Sequence, residues 1–138
     1  MKKLSLIIGL VTITLWGMAQ RNLVRPEDVK AFMASTTYVV LENNPTSQFN
    51  IEIREAVERS WKITPYKFIT AKEFNDMRKD IDKSFLVLIQ MRFDKDKIAP
   101  TYNFLSVSMG AAVSKITDMP DICSVPLSYK YLSEDTYT

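Results

Sequence analysis

Seven polar side chains follow the ends of three predicted strands, where they could together bind a small ligand. In open α/β sheets, ligands sit beyond the carboxyl ends of the parallel strands. Free helix N–H groups from Ser47 onward would also attract an anion at this edge. We therefore predict a small-molecule or anion site there, formed by Asn43, Asn44, Thr46, Ser47, Thr70, Arg92 and Asp94.

The same residue types also have a purely structural interpretation. In "NNPTS", Pro45 disfavours the α conformation at Asn44, and Ser47 or Thr46 can cap the following helix. Loops and caps require these residues whether or not a ligand binds. Both interpretations stay open from the sequence, and a ligand is most expected at Asn43 and Asn44, which lie at the edge where a pocket could form.

Catalytic chemistry is disfavoured by the residue inventory. Glu42 and Asp94 are the only carboxylate pair expected at this edge, and a glycosidase needs two such groups at a defined separation. The chain has no histidine, which removes Ser-His and Cys-His nucleophiles and His-rich metal sites. After residue 19 the single glycine is Gly110, too few for a phosphate-binding loop. We predict no cofactor, no metal site and a non-catalytic role.

Two further features concern partners rather than catalysis. Cys123 is the only cysteine, and lies among apolar neighbours in "DICSVPLS". It is expected to be a small buried hydrophobe or, in an oxidising compartment, one half of an intermolecular disulfide. The stretch "PTYNFLSVSMG" would recruit a partner strand if it lay at a sheet edge, with the interaction carried by Tyr102, Phe104, Ser106 and Ser108. A mixed outer face covered by a terminal helix is the alternative.

The first nineteen residues have the organisation of a cleavable secretory signal peptide. Lys2 and Lys3 precede an apolar run that is shorter than the roughly twenty residues needed to span a bilayer, and Gly17-Met18-Ala19 fits a cleavage site. The two lysines account for the formal charge of +2, so residues 20–138 are neutral. Neutrality argues against nucleic-acid binding. We predict a periplasmic or secreted protein without a transmembrane helix after cleavage.

Residues 20–138 are the right size for one domain, and periodicity predicts its elements. An opening helix begins near Pro26, with Val29, Phe32 and Met33 on its apolar side. Strands are predicted at 36–42, 65–70, 84–93, 101–109 and 122–129, the last at an edge because of Pro126. A helix runs from about 48 to 61, and Thr70 and Glu73 form a capping box for another, whose buried side includes Phe74, Met77 and Ile81. The tail from Ser133 begins like a helix and then stops, as expected of either a truncated chain or a frayed C-terminus.

The element order β-α-β-α-β-β predicts an α/β layered sandwich of two or three layers. Strands that alternate with helices favour parallel pairing, and the charged turn at 94–97 favours an antiparallel return, so the sheet is expected to be mixed and mostly parallel. Over residues 36–109 this order, with its apolar strand at 84–93 and following hairpin, resembles the small α/β domains of bacterial envelope proteins of the TolB N-terminal and CsgG-like type. That resemblance implies an interaction module in a cell-envelope assembly.

The functional expectation has two forms. The first is an exported, non-catalytic domain that binds another envelope or secreted protein, or associates with itself. The second is a binder of small molecules or anions at the carboxyl edge of the sheet.

Overall fold

The computed structural model describes residues 24–93 and 101–129 of the chain. The helices are α1 (Pro26–Ala34), α2 (Gln48–Ser60) and α3 (Ala71–Met77), with a short 3-10 helix at Ile116–Asp118. The strands are β1 (Thr37–Leu41), β2 (Tyr66–Thr70), β3 (Ser84–Arg92), β4 (Thr101–Met109) and β5 (Asp121–Tyr129). The signal peptide predicted at residues 1–19, Asp94 and the tail from Ser133 lie outside the described residues.

The strands form one mixed sheet in the order β2-β1-β3-β4-β5. β1 is parallel to both β2 and β3, whereas β3–β4 and β4–β5 are antiparallel. For the described residues, a single mixed α/β sheet with three α-helices is therefore confirmed, and its strand pairings divide evenly between parallel and antiparallel. The parallel share is lower than the sequence predicted because β5 adds a second antiparallel pair at the edge.

Apolar side chains pack on both faces of this sheet. On one face, Phe32 of α1 and Phe49, Ile53 and Val57 of α2 cover strand residues that include Val39. On the other face, α3 and the segment after β4 cover the sheet. The second apolar cluster lies there and consists of Val40, Ile69, Phe74, Phe85, Val87 and Met119. The alternation of Val39 and Val40 between the two clusters follows the two-residue period of a strand.

Local chemistry explains where the helices begin. The Asn50 N–H donates to the Ser47 hydroxyl at the start of α2, as a helix cap requires. Before α3, Glu73 N–H donates to the Thr70 hydroxyl, and the Glu73 carboxylate accepts from Thr70 N–H at 2.8 Å. Both caps were predicted from the sequence. The backbone hydrogen bond from Thr70, followed by the one from its hydroxyl, holds the pKa of Glu73 below its usual value.

The helix after Thr70 is shorter than its apolar pattern indicates. α3 ends at Met77, and Ile81 is 68% exposed rather than buried, so that part of the prediction was wrong. The chain turns here because the Arg78 carbonyl accepts a hydrogen bond from Ala111 N–H, and the Lys83 carbonyl accepts from Gly110 N–H. These long-range bonds divert the backbone before another helical turn can form.

Candidate functional site

A cleft opens at the carboxyl end of the parallel strands, where β1 and β3 separate. β1 pairs with β2 along all five of its residues, but with β3 only from Thr37 to Val39. Beyond that point the two strands line an open cavity of about 520 Å³, with Val40 and Leu41 from β1 and Val87 and Leu88 from β3. The volume falls within the range of roughly 300–1,000 Å³ that is typical of small-molecule sites.

The strand order makes this cleft a topological switch point. The chain leaves β1 through α2 and returns on one side as β2, whereas it leaves β3 for β4 on the other side. Connections that diverge in this way leave a crevice between two neighbouring strand ends, which is where open α/β sheets bind their ligands. The position of the cavity therefore follows from the topology.

The cleft has an apolar interior and a polar rim. Val40, Phe74 and Val87 are buried beneath it, and Leu41, Leu88 and Ile116 are half-buried. Five exposed polar side chains also line it, namely Glu42, Asn43, Asn44, Asn75 and Gln90. An apolar body with a few polar groups at the opening is the usual composition of a small-molecule site.

Asn50 fixes the loop that forms one wall of the cleft. Its side chain is 2% exposed. The Asn50 Oδ1 accepts from Glu42 N–H at 2.9 Å, and its Nδ2 donates to the Glu42 carbonyl at 3.1 Å and to the Asn44 carbonyl at 2.7 Å. Sequence reasoning missed this residue. The available signal was the spacing of Asn50, Ile53 and Val57 at i, i+3 and i+7, which places the asparagine on the buried side of an amphipathic helix.

The structure brings some of the predicted site residues together and gives others structural partners. Asn43 and Asn44 line the cleft, as does Glu42. Thr46 donates its N–H and hydroxyl to Asn44 Oδ1, while Ser47 and Thr70 are the helix caps described above. Arg92 lies outside the cleft lining and donates to the Thr101 hydroxyl at 3.4 Å. The structural interpretation thus accounts for the hydrogen bonds of Thr46, Ser47 and Thr70.

Of the carboxylate pair expected at this edge, the structure describes Glu42, which lines the cleft. Asp94 lies outside the described residues. Within residues 24–93 and 101–129, no cluster of three Cys, Asp or Glu side chains has the arrangement of a metal site. None of the helices in these ranges is long and apolar enough to cross a membrane.

The predicted interaction strand lies inside the sheet rather than at its edge. β4 pairs with β3 on one side and with β5 on the other, so its backbone has no free side for a partner strand. Tyr102 and Phe104 instead contact the Phe93 ring, with centroids 5.4 and 6.3 Å away. Ser106 donates to Asp121 Oδ1 and shares a hydrogen bond with Ser124, and Ser108 is buried beside it. The edge position assigned to these four residues was wrong, because β5 covers them.

β5 is the long exposed edge of the sheet, as Pro126 predicted. Its nine residues include Val125 and Leu127, whose side chains are 56% and 38% exposed. Cys123 is also exposed, so the expectation of a buried cysteine was wrong. Contact with β4 partly desolvates its thiol and raises its pKa, and the Asp121 carboxylate raises the pKa further. The thiol is therefore kept protonated and weakly nucleophilic at neutral pH.

Comparisons with known proteins return no matching family model, no matching curated protein and no matching solved structure.

Proposed function

We propose that this protein is an exported, non-catalytic α/β domain that binds a small molecule in the switch-point cleft. The observation that carries the proposal is the cavity of about 520 Å³ at the point where β1 and β3 separate. Its buried apolar interior would hold the body of a ligand, and the exposed amides around it would orient polar groups. The absence of histidine from the chain favours binding over catalysis.

Occupying the cleft with protein atoms tests this function. Ala71 lines the cavity at the first position of α3 and is half-buried, so the Ala71→Phe side chain has room to enter the cleft. In a fragment screen followed by two-dimensional amide NMR, we expect hits to shift cleft residues in the wild type and to weaken at least tenfold in Ala71→Phe. Lys72→Ala is the matched control, because Lys72 is exposed and outside the lining. Hits that cluster elsewhere, or bind Ala71→Phe equally well, would refute the proposal.

Binding of a partner protein is the second candidate, and one observation favours it. The exposed edge of β5 carries Val125 and Leu127, and a strand from another envelope or secreted protein, or from a second copy, can add to such an edge. Val125→Lys places a charge on this edge and should abolish that pairing. Cross-linking in envelope extract tests it, with Ile63→Lys at another exposed apolar position as the control. Equal recovery of partners by wild type and Val125→Lys would count against this role.

The proposal includes a periplasmic or secreted location and a layered α/β architecture. The signal peptide predicted at residues 1–19 supports a periplasmic or secreted location. Helices contribute to the apolar clusters on both faces of the sheet, which supports the layered sandwich predicted from the element order. The resemblance to envelope domains of the TolB N-terminal and CsgG-like type stays a prediction, and it favours a role in a bacterial cell-envelope assembly.

A further inference from the structure

The polar rim of the cleft is built almost entirely from side-chain amides. Four of its five polar residues are Asn43, Asn44, Asn75 and Gln90, and the fifth is Glu42. Among the residues that the structure describes, twelve line the cavity, and none of these is a lysine or an arginine. An anionic ligand would thus meet one carboxylate and no balancing cation, and close like charges repel by about 1 kcal/mol even in water.

Two helices start near the cleft, and caps occupy backbone N–H groups at both starts. At the start of α3, whose first residue Ala71 lines the cavity, Glu73 N–H donates to the Thr70 hydroxyl. The Asn50 N–H in the first turn of α2 donates to the Ser47 hydroxyl, and the Ser47 N–H donates to the Asn44 carbonyl. These groups would otherwise contribute to anion binding at a helix N-terminus. Arg92, the basic residue of the predicted site, lies outside the lining, and so does Lys72 in the first turn of α3.

The amides of the rim have unused hydrogen-bonding capacity. Within the described ranges, the side chains of Asn43 and Asn75 contact no hydrogen-bond partner. Asn44 uses its Oδ1 to accept from Thr46, which leaves its NH2 group available. Gln90 donates through Nε2 to Asn103, which leaves its Oε1 as an acceptor. An amide both donates and accepts, and so it matches hydroxyl and amide groups rather than charged ones.

We infer that the cleft binds an uncharged, hydroxyl- or amide-bearing molecule of the size of one or two sugar rings. This inference rests on the proposed function of the cleft and names its ligand class. The amide rim supplies the hydrogen bonds, and the apolar interior contacts the carbon skeleton. The anion predicted from the sequence is replaced as the preferred ligand, because the basic residues do not face the cavity.

Amide NMR titration of the purified protein tests the ligand class. The uncharged probes are glucose, N-acetylglucosamine and maltose, and the charged probes are inorganic phosphate, citrate and putrescine. We expect the uncharged probes to shift the backbone amide resonances of Glu42, Asn43 and Asn75. Phosphate, citrate and putrescine are expected to leave these resonances unshifted.

Three variants separate the ligand class from the existence of the site. Asn75→Ala should weaken saccharide binding about fivefold, the value of one lost hydrogen bond. Lys72→Ala, one helical turn away and outside the lining, should change it less than about twofold. Glu42→Gln removes the one charged side chain among the described residues of the rim, and it tests whether putrescine, if it binds, does so through the carboxylate.

The possible outcomes have distinct meanings. Cleft shifts caused by phosphate or citrate would overturn the ligand class and leave the proposed function in place. Putrescine binding that is lost in Glu42→Gln would do the same, because it would show recognition of an amine by the carboxylate. Cleft residues that stay unperturbed by every probe near its solubility limit would overturn the inference, and if Ala71→Phe also has no effect on fragment binding, the proposed function fails as well.

Discussion

Replacing Gly110 with alanine adds one methyl group and is expected to lower the free energy of unfolding by about 3 kcal/mol or more. A Cβ at this position would overlap the Asp80 carbonyl oxygen and lie 2.7 Å from its carbonyl carbon. Both are backbone atoms, so no side-chain rotation relieves the overlap. One of the two chain segments would have to move.

Hydrogen bonds on both sides prevent that movement. Gly110 N–H donates to the Lys83 carbonyl at 2.8 Å, and the next residue, Ala111, donates to the Arg78 carbonyl at 2.9 Å. The Arg78 side chain in turn donates to the carbonyls of Val113 and Ser114. Displacing Gly110 would therefore break several bonds that connect the segment after β4 to the turn after α3.

Urea denaturation measures the expected loss. Gly110→Ala should lower the unfolding midpoint with little change in the slope, since the surface exposed on unfolding stays similar. Ala112→Ser is the matched control in the same segment, because Ala112 is exposed and should change stability by less than about 0.5 kcal/mol. A Gly110→Ala protein as stable as the control would show that the close approach to Asp80 does not exist.

Replacing Asn50 with alanine is expected to cost about 2–3 kcal/mol and to disorder the wall of the cleft. The substitution removes three hydrogen bonds. The Glu42 N–H and carbonyl lose their Asn50 partner, while the Asn44 carbonyl keeps the hydrogen bond from Ser47 N–H. Hydrogen bonds are worth about 1 kcal/mol each net, and desolvated groups left unpaired cost more. The Asn50 side chain is almost fully buried whereas Glu42 and Asn44 are exposed, so we expect the loop to open and water to replace the lost hydrogen bonds.

Hydrogen exchange distinguishes this local effect from general destabilisation. In Asn50→Ala the backbone N–H of Glu42 should lose its protection from exchange. The backbone N–H groups of the β3–β4 ladder should lose protection only by the amount that the global free energy of unfolding falls. Asn50→Asp retains the acceptor and loses both donors, so its carboxylate would face two carbonyls and the variant should be no more stable than Asn50→Ala. Asn43→Ala, which removes an exposed amide from the same loop, should leave the unfolding midpoint unchanged. Continued protection of the Glu42 amide in Asn50→Ala would contradict the role of Asn50.

The ligand-binding prediction also links these two variants to function. If the cleft is the site, Asn50→Ala should lose ligand affinity because Glu42, Asn43 and Asn44 no longer hold their positions. Gly110→Ala should affect binding only in proportion to the folded fraction, because Gly110 is not part of the lining. Comparison of the two variants at equal folded fraction therefore separates positioning of the rim from overall stability.

Several features follow from the sequence because their causes lie within a few residues. Ser47 caps α2 and Thr70 with Glu73 caps α3 because each cap joins side chains to backbone groups three positions away. The stripe of Phe49, Ile53 and Val57 predicts a buried helix face from spacing alone, and β4 begins and ends where its pattern does. The neutral charge, the missing histidine and the single glycine after residue 19 likewise exclude whole classes of chemistry without a structure.

Other features depend on contacts between distant residues, and only the tertiary structure decided them. Strand order placed β3 beside β1 and ended their pairing at Val39 and Leu86, which opened the cleft and excluded Arg92 from it. Pairing with β5 moved Tyr102 and Phe104 from the expected edge into the sheet. Gly110 meets Asp80 across thirty positions of chain. Local propensity cannot specify such pairings, because strand order and long-range approach are selected by how the whole sheet and both apolar clusters pack.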